Sequence, residues 1–182
     1  MNIKLSLLVA LLSIQTITAQ DNYIGFSAGS DIKNAGKDLI FQVNMVSSDV
    51  EINASYESHA ALDFTKYSFG LGYHFPLYAY PFGNEVRTVF VPSIEPSLIN
   101  RTGDWGGGLD QNETSSHLSI GLNLALQWSI NDYLSVEYCF NALPRTDLKT
   151  KYPDSIKNYT NIGGVPIVGS NFLKIVYKIQ MN

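Results

Sequence analysis

The chain has 182 residues, of which 45% are hydrophobic, 12% aromatic and only 15% charged, with a formal net charge of −4. This length suits one domain, and the charged fraction is well below the roughly 25% of ordinary soluble proteins. The acidic balance excludes the basic footprint of a nucleic-acid binder, the single Cys139 excludes an intramolecular disulfide, and no apolar run of about twenty residues beyond the N-terminus provides a transmembrane helix.

Residues 1–19 read as a secretory signal peptide, with Lys4 as the positive region, Leu5 to Leu12 as the apolar core and Thr16-Ile17-Thr18-Ala19 as the cleavage site. Residues 20–182 are then the mature domain. No cysteine follows the apolar core, so a lipoprotein anchor is not expected.

From Asn22 onward the pattern has period two. Asn22 to Ser30 sets Ile24, Phe26 and Ala28 against Tyr23, Gly25 and Ser27, a first strand, and Asp31 to Lys37 is a polar loop. Asp38 to Met45 sets Leu39, Phe41, Val43 and Met45 against Ile40, Gln42 and Asn44, with a tight turn at Ser47-Ser48-Asp49. Val50, Ile52, Ala54 and Tyr56 alternate with Glu51, Asn53, Ser55 and Glu57 before a short loop from Ser58 to Asp63. Phe64 to Phe75 opposes Tyr67, Phe69, Leu71, Tyr73 and Phe75 to Lys66, Ser68, Gly70, Gly72 and His74. An aromatic connection, Pro76 to Asn84, leads to Glu85 to Leu98, the least regular strand. There Pro92 and Pro96 share a face with Phe90, Ile94 and Leu98. Proline removes ladder donors, so a bulge or a frayed upper half is expected in this strand.

Asn100 to Ser115 is a loop containing Trp105-Gly106-Gly107-Gly108. Ser116 to Ile130 is the most regular stretch, with Leu118, Ile120, Leu122, Leu124, Leu126, Trp128 and Ile130 on one face. The opposite face holds His117, Ser119, Gly121, Asn123, Ala125, Gln127 and Ser129, without a single Lys, Asp or Glu. Asn131-Asp132 gives a short turn, and Tyr133 to Asn141 continues the pattern. Ala142 to Gly169 is a long polar segment, and Ser170 to Met181 alternates Leu173, Ile175, Tyr177 and Ile179 with Phe172, Lys174, Val176 and Lys178.

Eight strands result; the odd-numbered connections hold most of the length, the fifth and seventh being longest, while the second and sixth are tight and the fourth is intermediate. A face of small polar residues suits a narrow lumen and a face of large apolar ones suits lipid. An even strand number with short turns at one end and long loops at the other is the layout of bacterial outer-membrane barrels. The expected fold is therefore all-β, an eight-stranded antiparallel up-and-down transmembrane β-barrel. The pattern resembles the small outer-membrane barrels of the OmpA/OmpX type over the whole mature chain. That resemblance implies a bacterial outer-membrane location in a Gram-negative envelope, reached by secretion and the barrel assembly machinery. It also implies a terminal aromatic residue, where this chain has Met181-Asn182.

Charges on the lumen face, Glu51, Glu57, Lys66, Arg87, Glu95, Glu137, Lys174 and Lys178, are expected to pair into a plug rather than an ion path. Glu137 should face Lys174, with Arg87 and Glu95 also candidates for lumen ion pairs. His117 and Ser119 share a face, and with Glu95 they are the weak candidates for a hydrolytic triad. The His-x-Ser pair resembles that of outer-membrane lipid A deacylases, in which an Asn and a Gly follow the Ser; here Ile120 stands for the Asn and Gly121 is kept. His59, His74 and His117 sit on separate elements without ligand spacing, so no metal site and no cofactor are expected.

The outer loops are the expected contact surface. Trp105 lies in one, and Arg145, Lys149, Lys151 and Lys157 make the other basic enough to meet outer-membrane lipids and lipopolysaccharide phosphates. The sequence thus points to a non-enzymatic, monomeric outer-membrane protein with a structural or adhesive role. The alternatives are a lipid A hydrolase using Ser119, His117 and Glu95, and a soluble periplasmic lipid-binding barrel with its apolar face inward.

Overall fold

A computed structural model describes residues 22–33, 35–60, 64–77, 87–102, 114–144, 159–162 and 165–181. The expected signal peptide, the aromatic connection 78–86, Trp105 and the basic residues Arg145, Lys149, Lys151 and Lys157 lie outside the described residues.

Ten strands form one sheet: β1 (Tyr23–Asp31), β2 (Asp38–Ser47), β3 (Val50–His59), β4 (Phe64–Tyr73), β5 (Phe75–Leu77), β6 (Arg87–Thr102), β7 (Thr114–Ser129), β8 (Leu134–Pro144), β9 (Tyr159–Ile162) and β10 (Val165–Gln180). Every pairing is antiparallel, and β1 closes on β10 through a ladder from Tyr23–Gln180 to Asp31–Phe172. β5 prolongs β4 beyond His74 on an unchanged register along β6, and β9 is a short arm on the far end of β10. The closed wall therefore has eight staves, as the alternation predicts. Among the described residues no helix is long and apolar enough to cross a membrane.

The two faces separate as the sequence reading expects. Leu118 is 82% exposed, Phe69 62%, Ile175 61% and Leu71 60%, all pointing outward. Lys66 and Lys174, at 0% and 1%, are buried inside. An outer wall of bare Leu, Ile, Phe and Tyr is a surface that lipid, not water, solvates. The soluble alternative needs the apolar set turned inward, and the structure places it outward.

Two boundaries differ from the sequence reading. The strands rise further than the loops Asn100 to Ser115 and Ala142 to Gly169 allow: β6 and β7 stay paired to Thr102–Thr114, β8 and β10 to Pro144–Ile167, and β9 lies inside the seventh connection. Polar residues such as Thr102, Thr114 and Ser115 carry no period-two signal, yet their backbones pair because the neighbouring strand continues.

The prolines also act differently from expectation. β6 is neither bulged nor frayed against β7, since Pro92–Leu124 and Pro96–Ile120 sit in an unbroken register. The gap falls on the other side, where pairing to β4 lapses between Ser68–Ser97 and Leu71–Ile94 and resumes without an inserted residue. Residues of one parity send their N–H groups to one neighbour. Two prolines four apart therefore weaken only the β4 ladder.

At the end where β1 begins and β10 stops, the β2–β3 and β7–β8 turns are short. Ser48 and Asp49 both adopt left-handed φ, 51° and 68°, the geometry a two-residue hairpin requires. Asn131 closes the β7–β8 turn by accepting bonds from the N–H groups of Tyr133 and Leu134 at 2.9 and 2.8 Å.

The face assignment is tested at neighbouring positions of β7. Leu122→Arg should cost about 2–4 kcal/mol in urea unfolding from lipid vesicles, because a cation would stand in hydrocarbon. Asn123→Arg, pointing inward, should leave a lipid-phase quencher without access to a probe at that position.

Candidate functional site

The chemistry-bearing side chains among the described residues converge in the barrel interior. Alternation sends every second residue of each strand inward, and the eight staves bring these residues within bonding distance of one another.

Near the end bearing the chain termini, Glu51 accepts bonds from Asn44 Nδ2 at 2.9 Å and Asn53 Nδ2 at 2.8 Å, with His74 Nε2 at 2.9 Å. Gln42 joins this group to the next layer: its Nε2 donates to Glu51 at 3.4 Å, and its Oε1 accepts from Lys174 Nζ at 2.5 Å. Lys174 and Glu137 face each other on paired positions of β10 and β8, 2.6 Å apart. Gln127 donates to Glu137 at 3.2 Å and accepts from the Tyr23 hydroxyl at 3.4 Å, while Lys178 Nζ lies 5.0 Å above the Tyr23 ring.

The upper layer centres on Lys66. Its Nζ lies 2.7 Å from Glu57 Oε1, 3.5 Å from Glu95 Oε2 and 2.8 Å from Asn141 Oδ1. Asn141 Nδ2 donates in turn to both carboxylates, at 2.7 and 3.2 Å. This one cluster ties β3, β4, β6 and β8 across the lumen. Glu57 also meets His59 Nε2 at 2.8 Å, and the His59 ring stacks on Phe64 with centroids 4.1 Å apart and meets the edge of Phe172. Ile40 and Ile99 are also buried at inward positions, and His59 Nδ1 lies 3.8 Å from Asp38 on the paired position of β2.

The expected site residues are distributed as follows. Glu137 meets Lys174, and Glu95 meets Lys66. Arg87 is not brought to Glu95; it starts β6 opposite Ser129, at the end where β1 begins, eight positions before Glu95. His117 and Ser119 face the lumen, opposite Ile99 and Ser97, whereas Glu95 lies opposite Gly121 and is held by Lys66, Asn141 and Ser93. Among the described residues no group of three His, Cys, Asp or Glu side chains is spaced for a metal ion.

Sequence reasoning missed Asn141, Gln42 and the packing of His59 between Phe64 and Phe172. The amides carry no charge to draw attention. The buried apolar residues were signalled only by Ile40, Phe64, Ile99 and Phe172 standing at positions of the polar parity.

A closed eight-stranded antiparallel barrel with an apolar wall and a bonded polar interior is the architecture of the small outer-membrane barrels. No family model matches the chain, and no curated protein matches it in sequence. Among solved structures, the N-terminal β-barrel domain of Pseudomonas aeruginosa OprF superposes with a TM-score of 0.53 at 11% identity, over 88% of this chain and 100% of that one. Neisserial surface protein A gives 0.46 at 11% identity over 87% and 95%. Ail, the attachment invasion locus protein of Yersinia pestis, gives 0.43 at 12% identity over 89% and 100%. The first of these shows that the fold is that of an eight-stranded outer-membrane barrel.

Removing one partner of a buried ion pair strands the other. Lys174→Met should therefore destabilise the barrel by about 3–5 kcal/mol. The Glu137→Gln/Lys174→Met double variant should regain much of that loss, read as a double-mutant cycle from urea titrations in lipid.

Proposed function

We propose that the protein is a non-enzymatic outer-membrane barrel, secreted with a cleaved signal peptide, monomeric, and structural or adhesive in role through its outer loops. The observation that carries this reading is the bonding of the interior carboxylates and lysines to one another and to the amides and histidines around them. Glu51, Glu57, Glu95, Glu137, Lys66 and Lys174 all have partners within the lumen. Groups engaged in this way plug the barrel.

The rim supports a role in surface contacts. With the ends of β1 and β10 on the periplasmic side, the two longest connections, the fifth and the seventh, emerge outside the cell. β7 there runs from Thr114 to Gly121 beyond its ladder with β8, which begins at Leu122–Ala142. The β6–β7 hairpin is thus a raised support for the connection that holds Trp105. The basic residues Arg145, Lys149, Lys151 and Lys157 belong to the connection beside it and suit lipopolysaccharide phosphates or an acidic partner surface.

Envelope fractionation should place the protein in the outer membrane, and the unheated sample should migrate faster than the boiled one. Deleting residues 149–157, short of β9, should preserve that heat-modifiable migration and reduce attachment of the expressing cells to a surface. Ser119→Ala should leave the acylation of lipid A unchanged. Release of the protein by osmotic shock, with one mobility before and after boiling, would sink the reading.

A further inference from the structure

The outward face of β1 is not uniformly bulky. Ala28 pairs with Phe41 on β2 and with Ile175 on β10, and the next outward residue, Ser30, pairs with Leu39 and Leu173. Two successive small side chains flanked by four large ones leave a trough along the strand. A groove of about 660 Å³ begins at Ala28 and runs away from Ser30, toward Phe26, Val43, Ala54 and Tyr177.

The trough leads to the β1–β2 connection, which is fixed by its own hydrogen bonds. Lys33 N donates to Asp31 Oδ1 and Asn171 N to Asp31 Oδ2, both at 2.8 Å. Gly36 N donates to Ser30 Oγ at 2.8 Å, and Ser30 Oγ donates to the Asp38 carbonyl at 3.1 Å. Both aspartates are buried, while Lys33 and Lys37 are exposed beside the exposed Ile32. The connection therefore shows cations outward. It begins roughly 10 Å above Ala28, three residues of strand at ~3.3 Å each.

We infer that the trough and the cationic connection above it form a site for one phosphorylated lipid of the outer leaflet. An acyl chain lies along Ala28 and Ser30, and the phosphate meets Lys33 and Lys37. The chain restores dispersion contacts that the small side chains leave unmade, and the phosphate accepts charge-assisted bonds from the ammonium groups. A second copy of this chain would offer an apolar wall but no phosphate; a free phosphate would leave the trough unfilled. The inference rests on the outer-membrane reading, because it requires the lysines to stand at outer-leaflet headgroup depth.

The test uses the full-length barrel in detergent and native mass spectrometry, with bisphosphorylated lipid A, its dephosphorylated form and inorganic phosphate as probes. The wild type should retain one phosphorylated lipid in preference to the dephosphorylated form. Lys33→Gln/Lys37→Gln should bind it about tenfold more weakly and lose the preference, whereas Ala28→Leu should weaken both lipids about tenfold. Both variants change outward or loop side chains, and heat-modifiable migration checks that each has folded. Equal retention of the two lipids by the wild type, or variants that bind as well as it does, would overturn the inference. Displacement by inorganic phosphate would reassign the site to a free anion, and self-association abolished by Ala28→Leu would reassign it to a second copy. A wild-type chain absent from the outer-membrane fraction would instead sink the localisation, while a barrel that reaches the membrane and still fails these binding tests would sink this inference alone.

Discussion

The ladder between β1 and β10 is the constraint on which the rest of this structure depends. Hydrocarbon offers no partner to a backbone N–H or C=O, so a sheet survives there only if its first and last strands pair. The register running from Tyr23–Gln180 to Asp31–Phe172 supplies that closure. Closure divides every strand into a lipid face and a lumen face, and it makes the lumen narrow. Gly29 lies on this seam, where an added Cβ would stand 2.4 Å from the Leu173 carbonyl oxygen, so the close approach of the two strands demands glycine.

A narrow, closed lumen dictates the interior chemistry. Burial of a charge is costly unless it is paired and its remaining bonds are met. The amides Gln42, Gln127 and Asn141 meet them here. Each presents both a donor and an acceptor, so each can link an ammonium group to a carboxylate or one carboxylate to a hydroxyl. Lys66 and Lys174 thereby join staves that are not neighbours, which ladder bonds alone cannot do. The interior is a set of cross-braces.

The same closure explains how the wall tolerates two prolines. Pro92 and Pro96 share one parity, so the missing donors face β4 alone, and the β7 side keeps its full register. The wall is weakened along one seam while its neighbours hold the strand in place. The raised β6–β7 hairpin grows from this same pair of strands.

The sequence by itself determined the parity of nearly every residue. Alternation is a local property of the extended chain, so Leu118 to Ile130, Leu173 to Ile179 and their polar counterparts showed barrel, lipid face and lumen face. The pairing of Glu137 with Lys174 was legible because the strands that hold them follow one another in the chain. Only the tertiary structure decided the registers, the side on which the prolines interrupt the ladder, the extension of β6 and β7 into polar sequence and of β10 back to Val165, and the meeting of Lys66 with Asn141. Those depend on the stagger at which eight strands close and on distances across the lumen. No period in the chain encodes them, because they are properties of the closed barrel and not of any one strand.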